Sequence, residues 1–294
     1  MATLRDLKGR IGSVGSSEKI TGAMKMISSA KMHKAEQAIR RLLPFRTQLE
    51  SIIGNLLQAD TEFTSPLTDA RAEIRSVAIV VLGSDDGLCG AYNVNIFKQL
   101  LAHIDSLRSQ FGPSLSVTVY PVGGKIAKAV RKMAVTGVSV ADPCGVNSKS
   151  TDAPVKSFVE KLTADFLGGE ADRVDFIYMN YQSVSRQRLL VQQVLPVLPS
   201  NFAKAEQSGA NRPYIFEPDA ATIFRTALPL MVLSTVQEIF CENRASEQAA
   251  RVMAMQSAND NAKKLLEQLS LEYNKLRQQS ITNELLDIIG GQVK

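Results

Sequence analysis

The chain has 294 residues and a mass of 32.0 kDa, 45% hydrophobic and 21% charged, which excludes wholesale disorder and leaves room for about two domains. No run reaches the ~18 uncharged apolar residues of a membrane helix, and residues 1–10 have no apolar core of a secretory signal. Three widely spaced cysteines and only two histidines, His33 and His103, exclude a CxxC site and leave little for His-based catalysis or a His-rich metal centre. Lys and Arg outnumber Asp and Glu by 34 to 29, and the whole excess lies in residues 1–60, which hold ten basic and five acidic side chains. Such a segment is either a solvated helix face or a surface for an acidic partner.

The N-terminal arm, residues 1–60, reads as a coiled-coil helix. Leu4, Leu7, Ile11 and Val14 follow 3,4,3 spacing. Ile20, Met24 and Ile27 resume it in a shifted frame, and Leu42, Phe45, Leu49, Ile52 and Leu56 continue it. Pro44 should bend or break the helix. Gly9, Gly12, Gly15 and Gly22 weaken it but permit close approach of another backbone.

The middle, residues 70–210, is the compact domain. Twelve of the 17 Phe and Tyr residues lie between positions 70 and 216, as expected of a globular core. Strands are expected at Ser76–Leu82, Ser116–Val122, Val174–Tyr181 and Leu189–Leu195. Helices are expected at Asn93–Phe111, Lys125–Met133 and Val155–Leu167. The last two strands should pair antiparallel across a short polar connection. Alternating strands and helices indicate a Rossmann-like α/β layer. The turn Gly83–Gly90 is neither a dinucleotide fingerprint nor a phosphate loop, and Asp85 and Asp86 would repel phosphate. Gly123-Gly124-Lys125 is a weak anion signal. Cys89 reads as a small buried residue rather than a nucleophile.

The C-terminal arm, residues 213–294, has no Pro or Gly from Leu230 to Ile289. Val252, Met255, Asn259, Ala262, Leu266, Leu269, Tyr273 and Leu276 form a coiled-coil seam. Polar Ser280 and Asn283 follow on it, then a fresh apolar stripe of Ile281, Leu285, Ile288 and Ile289, and Gly290-Gly291 as a stop. Pro229 suggests a kink or a late helix start. Arms at the two ends of one chain, with a domain inserted between them, pair antiparallel. The expected fold class is α/β, a long antiparallel two-helix coiled coil with an inserted Rossmann-like domain.

Four separated motifs carry a family resemblance over essentially the whole length: Ile20–Met32 (ITGAMKMISSAKM), Gly87-Leu-Cys-Gly90 with Asn93, Ser246–Met255 (SEQAARVMAM) with Asn259-Asp-Asn261, and Tyr273–Leu286 (YNKLRQQSITNEL). The chain resembles the γ subunits of F-type ATP synthases. The resemblance implies a rotating, non-catalytic shaft inside a ring of α and β subunits, with a foot on the c-ring that also binds ε. Proton flow turns the c-ring, and the shaft drives each β subunit through its states. The resemblance places Met24, Lys25, Arg251, Arg277, Gln278 and Thr282 against β, with Lys98 reaching β from the globular domain. It places Ile281, Leu285 and Ile288 in an apolar sleeve at the top of the ring. It implies no catalytic residue, cofactor or metal, and peripheral attachment to the cytoplasmic face of a bacterial plasma membrane. Asp86 departs from the family, which often has Arg before this Gly-Leu-Cys-Gly motif. No chloroplast-type cysteine pair is present. Two rivals are an RNA-binding protein with a basic arm, which has only Phe45 to stack bases in residues 1–60, and a nucleotide-dependent enzyme with a coiled-coil arm.

Overall fold

The computed structural model describes residues 3–57, 65–71, 73–133, 135–198 and 216–291. The expected domain limits at 60, 210 and 213 lie outside them. The chain divides into two compact units, Ala30–Ala250 and the combination of Met1–Ser29 with Arg251–Lys294.

In the larger unit a five-stranded sheet has the order β3-β2-β1-β4-β5. Its strands are β1 Ser76–Leu82, β2 Ser116–Val122, β3 Val138–Val140, β4 Arg173–Tyr181 and β5 Gln187–Leu195. The first four are parallel neighbours, and β5 pairs antiparallel with β4, as the short connection predicts. Three-residue β3 escaped the sequence reading because two of its residues are exposed.

Side chains alternate across the sheet, and this separates two cores. Val77, Ile79 and Val81 face α2 (Tyr92–Phe111) and α3 (Gly124–Val130). Ala78, Val80 and Leu82 face α4 (Asp152–Gly168) together with parts of the two long helices, α1 (Leu4–Leu57) and α5 (Ala220–Gly291). Both faces of β1 are therefore covered, which is why its sequence from Val77 to Leu82 is an unbroken apolar run, mostly β-branched.

The prolines break neither long helix. Pro44 lies within α1 and Pro229 within α5. Both are exposed, so the carbonyl each leaves without an amide partner can be hydrated. The late start suggested by Pro229 is overturned by a cap ten residues earlier. Asp219 accepts the Thr222 amide at 2.8 Å and the Thr222 hydroxyl at 2.7 Å. Thr3 and Asp6 cap α1 reciprocally, with amide contacts of 3.1 and 3.2 Å.

Two readings of the arms also change. The first part of α5 is a core helix of the larger unit, buried almost all round from Met231 to Ala249. The stretch of the described residues long and apolar enough to cross a membrane lies in this helix and is mostly buried inside the protein. On α1 the frame does not shift. Buried and half-buried positions run without interruption through Leu4, Leu7, Ile11, Val14, Glu18, Thr21, Lys25, Ser28, Met32 and Ala35. Ile20, Ile27, Phe45 and Ile52, expected on the seam, are exposed instead. The seam stays in one heptad frame while its residues turn polar, and apolar periodicity alone follows the wrong face.

Asp172 fastens the start of β1. Its carboxylate accepts the amides of Arg75 and Ser76, each at 2.8 Å, and Arg71 at 2.7 Å. Burial pushes this carboxyl up, but the two amides, the Ser76 hydroxyl and Arg71 outweigh it and hold the group below the ordinary value of an Asp side chain. A lowered carboxyl contributes stability that is present above its unfolded value and lost as pH falls through the folded one. Asp172→Asn is therefore expected to lower the thermal midpoint at neutral pH and to flatten its fall in acid. Unfolding curves between about pH 3 and pH 7 check this.

Candidate functional site

The smaller unit contains the sequence-predicted contact residues of the two arms. A Cβ built on Gly15 would lie 3.9 Å from Leu266, and one on Gly22 would lie 3.4 Å from Asn259. Seven residues forward on α1 match seven backward on α5, so the pairing is antiparallel. Gly22 supplies the close approach expected of it, whereas Gly9 and Gly12 face open space.

The buried and half-buried positions of α5 include every predicted seam residue from Val252 to Leu276. Asn259 is the polar member. Its amide donates to the Glu18 carbonyl at 2.7 Å and lies 3.3 Å from the Thr21 hydroxyl. A buried amide in an otherwise apolar seam fixes register, because sliding by a turn would strand it. Glu18 and Thr21 thus belong to the seam as partners of Asn259, a role that apolar periodicity could not reveal.

In the same register Leu4, at the start of α1, faces the turn of α5 around Arg277. Helix α5 runs on to Gly291, roughly 20 Å further at 1.5 Å per residue. Every residue from Ile281 to Ile289 is exposed. Ile281 is 46% exposed, Leu285 54% and Ile288 61%, and the neighbouring Leu286 and Ile289 exceed half. Arg277, Gln278 and Thr282 are exposed on the same segment, and the Thr282 hydroxyl donates back to the Gln278 carbonyl at 2.9 Å. A protruding helix end with contiguous apolar side chains and a cation beneath them is a surface shaped for a surrounding partner. Exposed Leu271 was not singled out by the seam analysis, because it lies on the side of α5 opposite the seam.

Elsewhere the predicted residues fare differently. Met24 and Lys25 are half-buried on α1. Arg251 is 6% exposed and engaged within the chain. Lys98 is exposed on α2 in the larger unit. Of the ten basic residues in the first arm, eight are exposed, and Lys25 and Arg46 are half-buried. Arg46 pairs with Glu50 at 2.9 Å and with Glu238.

The glycine-rich turn after β1 is a packed joint. A Cβ on Gly83 would meet the Ile126 side chain at 2.5 Å, and Gly123, at φ +115°, would place one 2.9 Å from the Ser84 carbonyl. Asn93 ties the turn by accepting the Ser84 amide at 3.0 Å and donating to its hydroxyl at 2.7 Å. The Asp85 carboxylate accepts the Gly124 amide at 3.0 Å and the Ser148 hydroxyl at 2.7 Å. A protein carboxylate thus takes the helix-end amide that a phosphate would use. Asp86 pairs with Lys149 at 3.1 Å. Cys89 is buried, 3.7 Å from the Ser84 hydroxyl. Among the described residues no three His, Cys, Asp or Glu side chains gather as a metal site.

A family model described as ATP synthase matches residues 3–293. The chain is 40% identical over 293 residues to the ATP synthase gamma chain of Phocaeicola vulgatus, with both chains fully covered. It is 40% identical over 298 residues to that of Bacteroides fragilis, again with full coverage of both. The gamma chain of Chloroherpeton thalassium is 34% identical, covering 99% of this chain and 97% of its own. Among solved structures, a chain of the Euglena gracilis mitochondrial ATP synthase (OSCP/F1/c-ring, rotational state 3) aligns with a TM-score of 0.64 and 22% identity, covering 98% of this chain and 93% of that one. A chain of the Tetrahymena thermophila central stalk and c-ring aligns at 0.55 and 21%, covering 81% and 99%. At those identities the structures speak for the fold alone.

Proposed function

The chain belongs to the ATP synthase gamma-chain family, and from that premise we propose that it is the rotating shaft that couples proton-driven turning of a c-ring to ATP synthesis on surrounding β subunits. It is a non-catalytic subunit. The proposed domain plan is an N-terminal arm over 1–60, a central domain over 70–210 and a C-terminal arm over 213–294, with the parts of both arms between Ala30 and Ala250 belonging to the larger unit. The arms form the shaft within α and β, and the central domain with the adjoining coil forms the foot on the c-ring and ε. The assembly is attached peripherally at the cytoplasmic face of a bacterial plasma membrane.

One observation carries this reading: the exposed end of α5, Ile281–Ile289, running on past its partner helix. Ile281, Leu285 and Ile288 form a greasy bearing, because apolar contacts are non-directional and tolerate turning. Arg277 and Gln278, just below, and Thr282, between Ile281 and Leu285, supply directional contacts to one β subunit at a time. Met24 and Lys25 act lower on the first arm, Arg251 also meets β, and Lys98 reaches β from the central domain. Two unlike helices present a different face to each of three equivalent partners, as a driver of sequential states requires.

Co-purification tests the reading. A tagged copy of this chain is expected to bring down α and β in threefold molar excess, with ε and the c-ring in detergent extracts. Recovery of the chain alone, or with nucleic acid in salt-sensitive fashion, would contradict it.

A further inference from the structure

Strand β1 ends its pairing with β4 at Val81–Ile177, while β4 continues to Tyr181. Along that side β4 needs new partners, and α5 supplies them. The Asn243 side-chain carbonyl accepts the Met179 amide at 3.3 Å, and its side-chain amide lies 3.4 Å from the Gly83 carbonyl. Three residues on, the Ser246 hydroxyl donates to the Met179 carbonyl at 2.9 Å. The Tyr92 hydroxyl, at the first turn of α2, donates to the Asn243 side chain at 2.7 Å and lies 3.1 Å from its backbone carbonyl. Tyr92, Asn243 and Ser246 are each at most 3% exposed.

Around this centre, Asn180 donates to Glu242 at 2.8 Å, and Arg244 donates to the carbonyls of Ser148 and Ser150 at 3.2 and 2.8 Å. Within five residues, Glu242–Ser246, α5 is thus bonded to β4, to the turn after β1, to α2 and to the loop before α4. From Phe224 to Phe240 the contact of α5 with the rest of the larger unit is mainly apolar, and the Glu238 ion pair there goes to Arg46 of α1 rather than to the sheet. Apolar packing opposes rotation of a helix through shape alone, whereas buried hydrogen bonds add a directional restraint that is costly to leave unmade.

We propose that Asn243, with Tyr92 and Ser246, is the torque lock that keeps the central domain from slipping around α5. They are positioning residues that act through the helix they hold. The proposal rests on the shaft reading above. Torque entering through the domain must cross this joint to reach the coil. Hydrolysis by the detached catalytic sector turns an unloaded shaft and makes little demand on it.

The test compares two activities of the complete complex carrying Asn243→Ala or Tyr92→Phe. In membrane vesicles energised by a proton gradient, Asn243→Ala is expected to lower ATP synthesis by about fivefold or more, the scale of one lost hydrogen bond. Tyr92→Phe should lower it less, and the two changes together should not exceed Asn243→Ala by much, because they remove one shared bond. Hydrolysis by the detached catalytic sector should stay close to wild type in all three. A merely structural role would lower both activities in proportion to the complex assembled. Proportional loss, or no loss at equal complex content, overturns the proposal. If Asn243→Ala yields no complex, Tyr92→Phe, which removes a single oxygen, decides the matter on the same two readings. A wild-type chain that supports neither activity would instead overturn the shaft reading.

Discussion

Arg277→Ala combined with Gln278→Ala is expected to lower ATP turnover of the assembled complex by about tenfold or more while leaving assembly largely intact. Both side chains are exposed near the C-terminal end of α5, below an apolar end that offers non-directional contact. A charge-assisted hydrogen bond from the guanidinium contributes about 1.5–3 kcal/mol when made, and each 1.4 kcal/mol is a factor of ten. A bond formed at one rotary angle only is specific to one step of the cycle, so its loss appears in rate rather than in affinity. Steady-state turnover at matched complex content measures it. Wild-type turnover would show the contact to be incidental, and failure to assemble would show a static anchor.

Phe158→Ala is expected to cost about 3–5 kcal/mol of stability. Phe158 is fully buried on α4, between the sheet and the long helices, with its ring 5.8 Å from Tyr120 in an edge-to-face contact. Truncation removes that contact and leaves a cavity in a layer that Leu49, Ile53 and Leu228 also line. A loss of this size is a large share of the 5–15 kcal/mol typical of a folded domain. Chemical denaturation of the purified chain checks it, and a shift below about 1 kcal/mol would mean that the site collapses to fill the gap.

The contrast between the two arms shows what the sequence discloses. On α5 the seam from Val252 to Leu276 was legible because most of the buried positions are apolar and the opposite ones polar. On α1 burial instead passes through Glu18, Thr21, Lys25 and Ser28, while Ile20 and Ile27 stand exposed. A periodicity count rewards apolar residues wherever they face. Strands β1 and β2 are legible to the residue because each is a short, mainly β-branched run bounded by turn residues, Gly83 after the first and Gly123-Gly124 after the second. The core role of α5 was masked by its continuity with the coil, since a helix buried all round and a helix buried on one seam share one uninterrupted stretch of residues. Asn243 left no local signal, because its partners Tyr92 and Met179 lie 151 and 64 residues away.

Direct observation of rotation tests the account most directly. Cys144 is an exposed thiol of the central domain and can carry a bead, whereas Cys89 is buried. With the β subunits fixed to a surface and ATP added, the bead is expected to turn in one direction in steps of about 120°, one for each β subunit of a threefold ring. ATP hydrolysis by complexes that contain the chain, with a bead that does not turn, would contradict it.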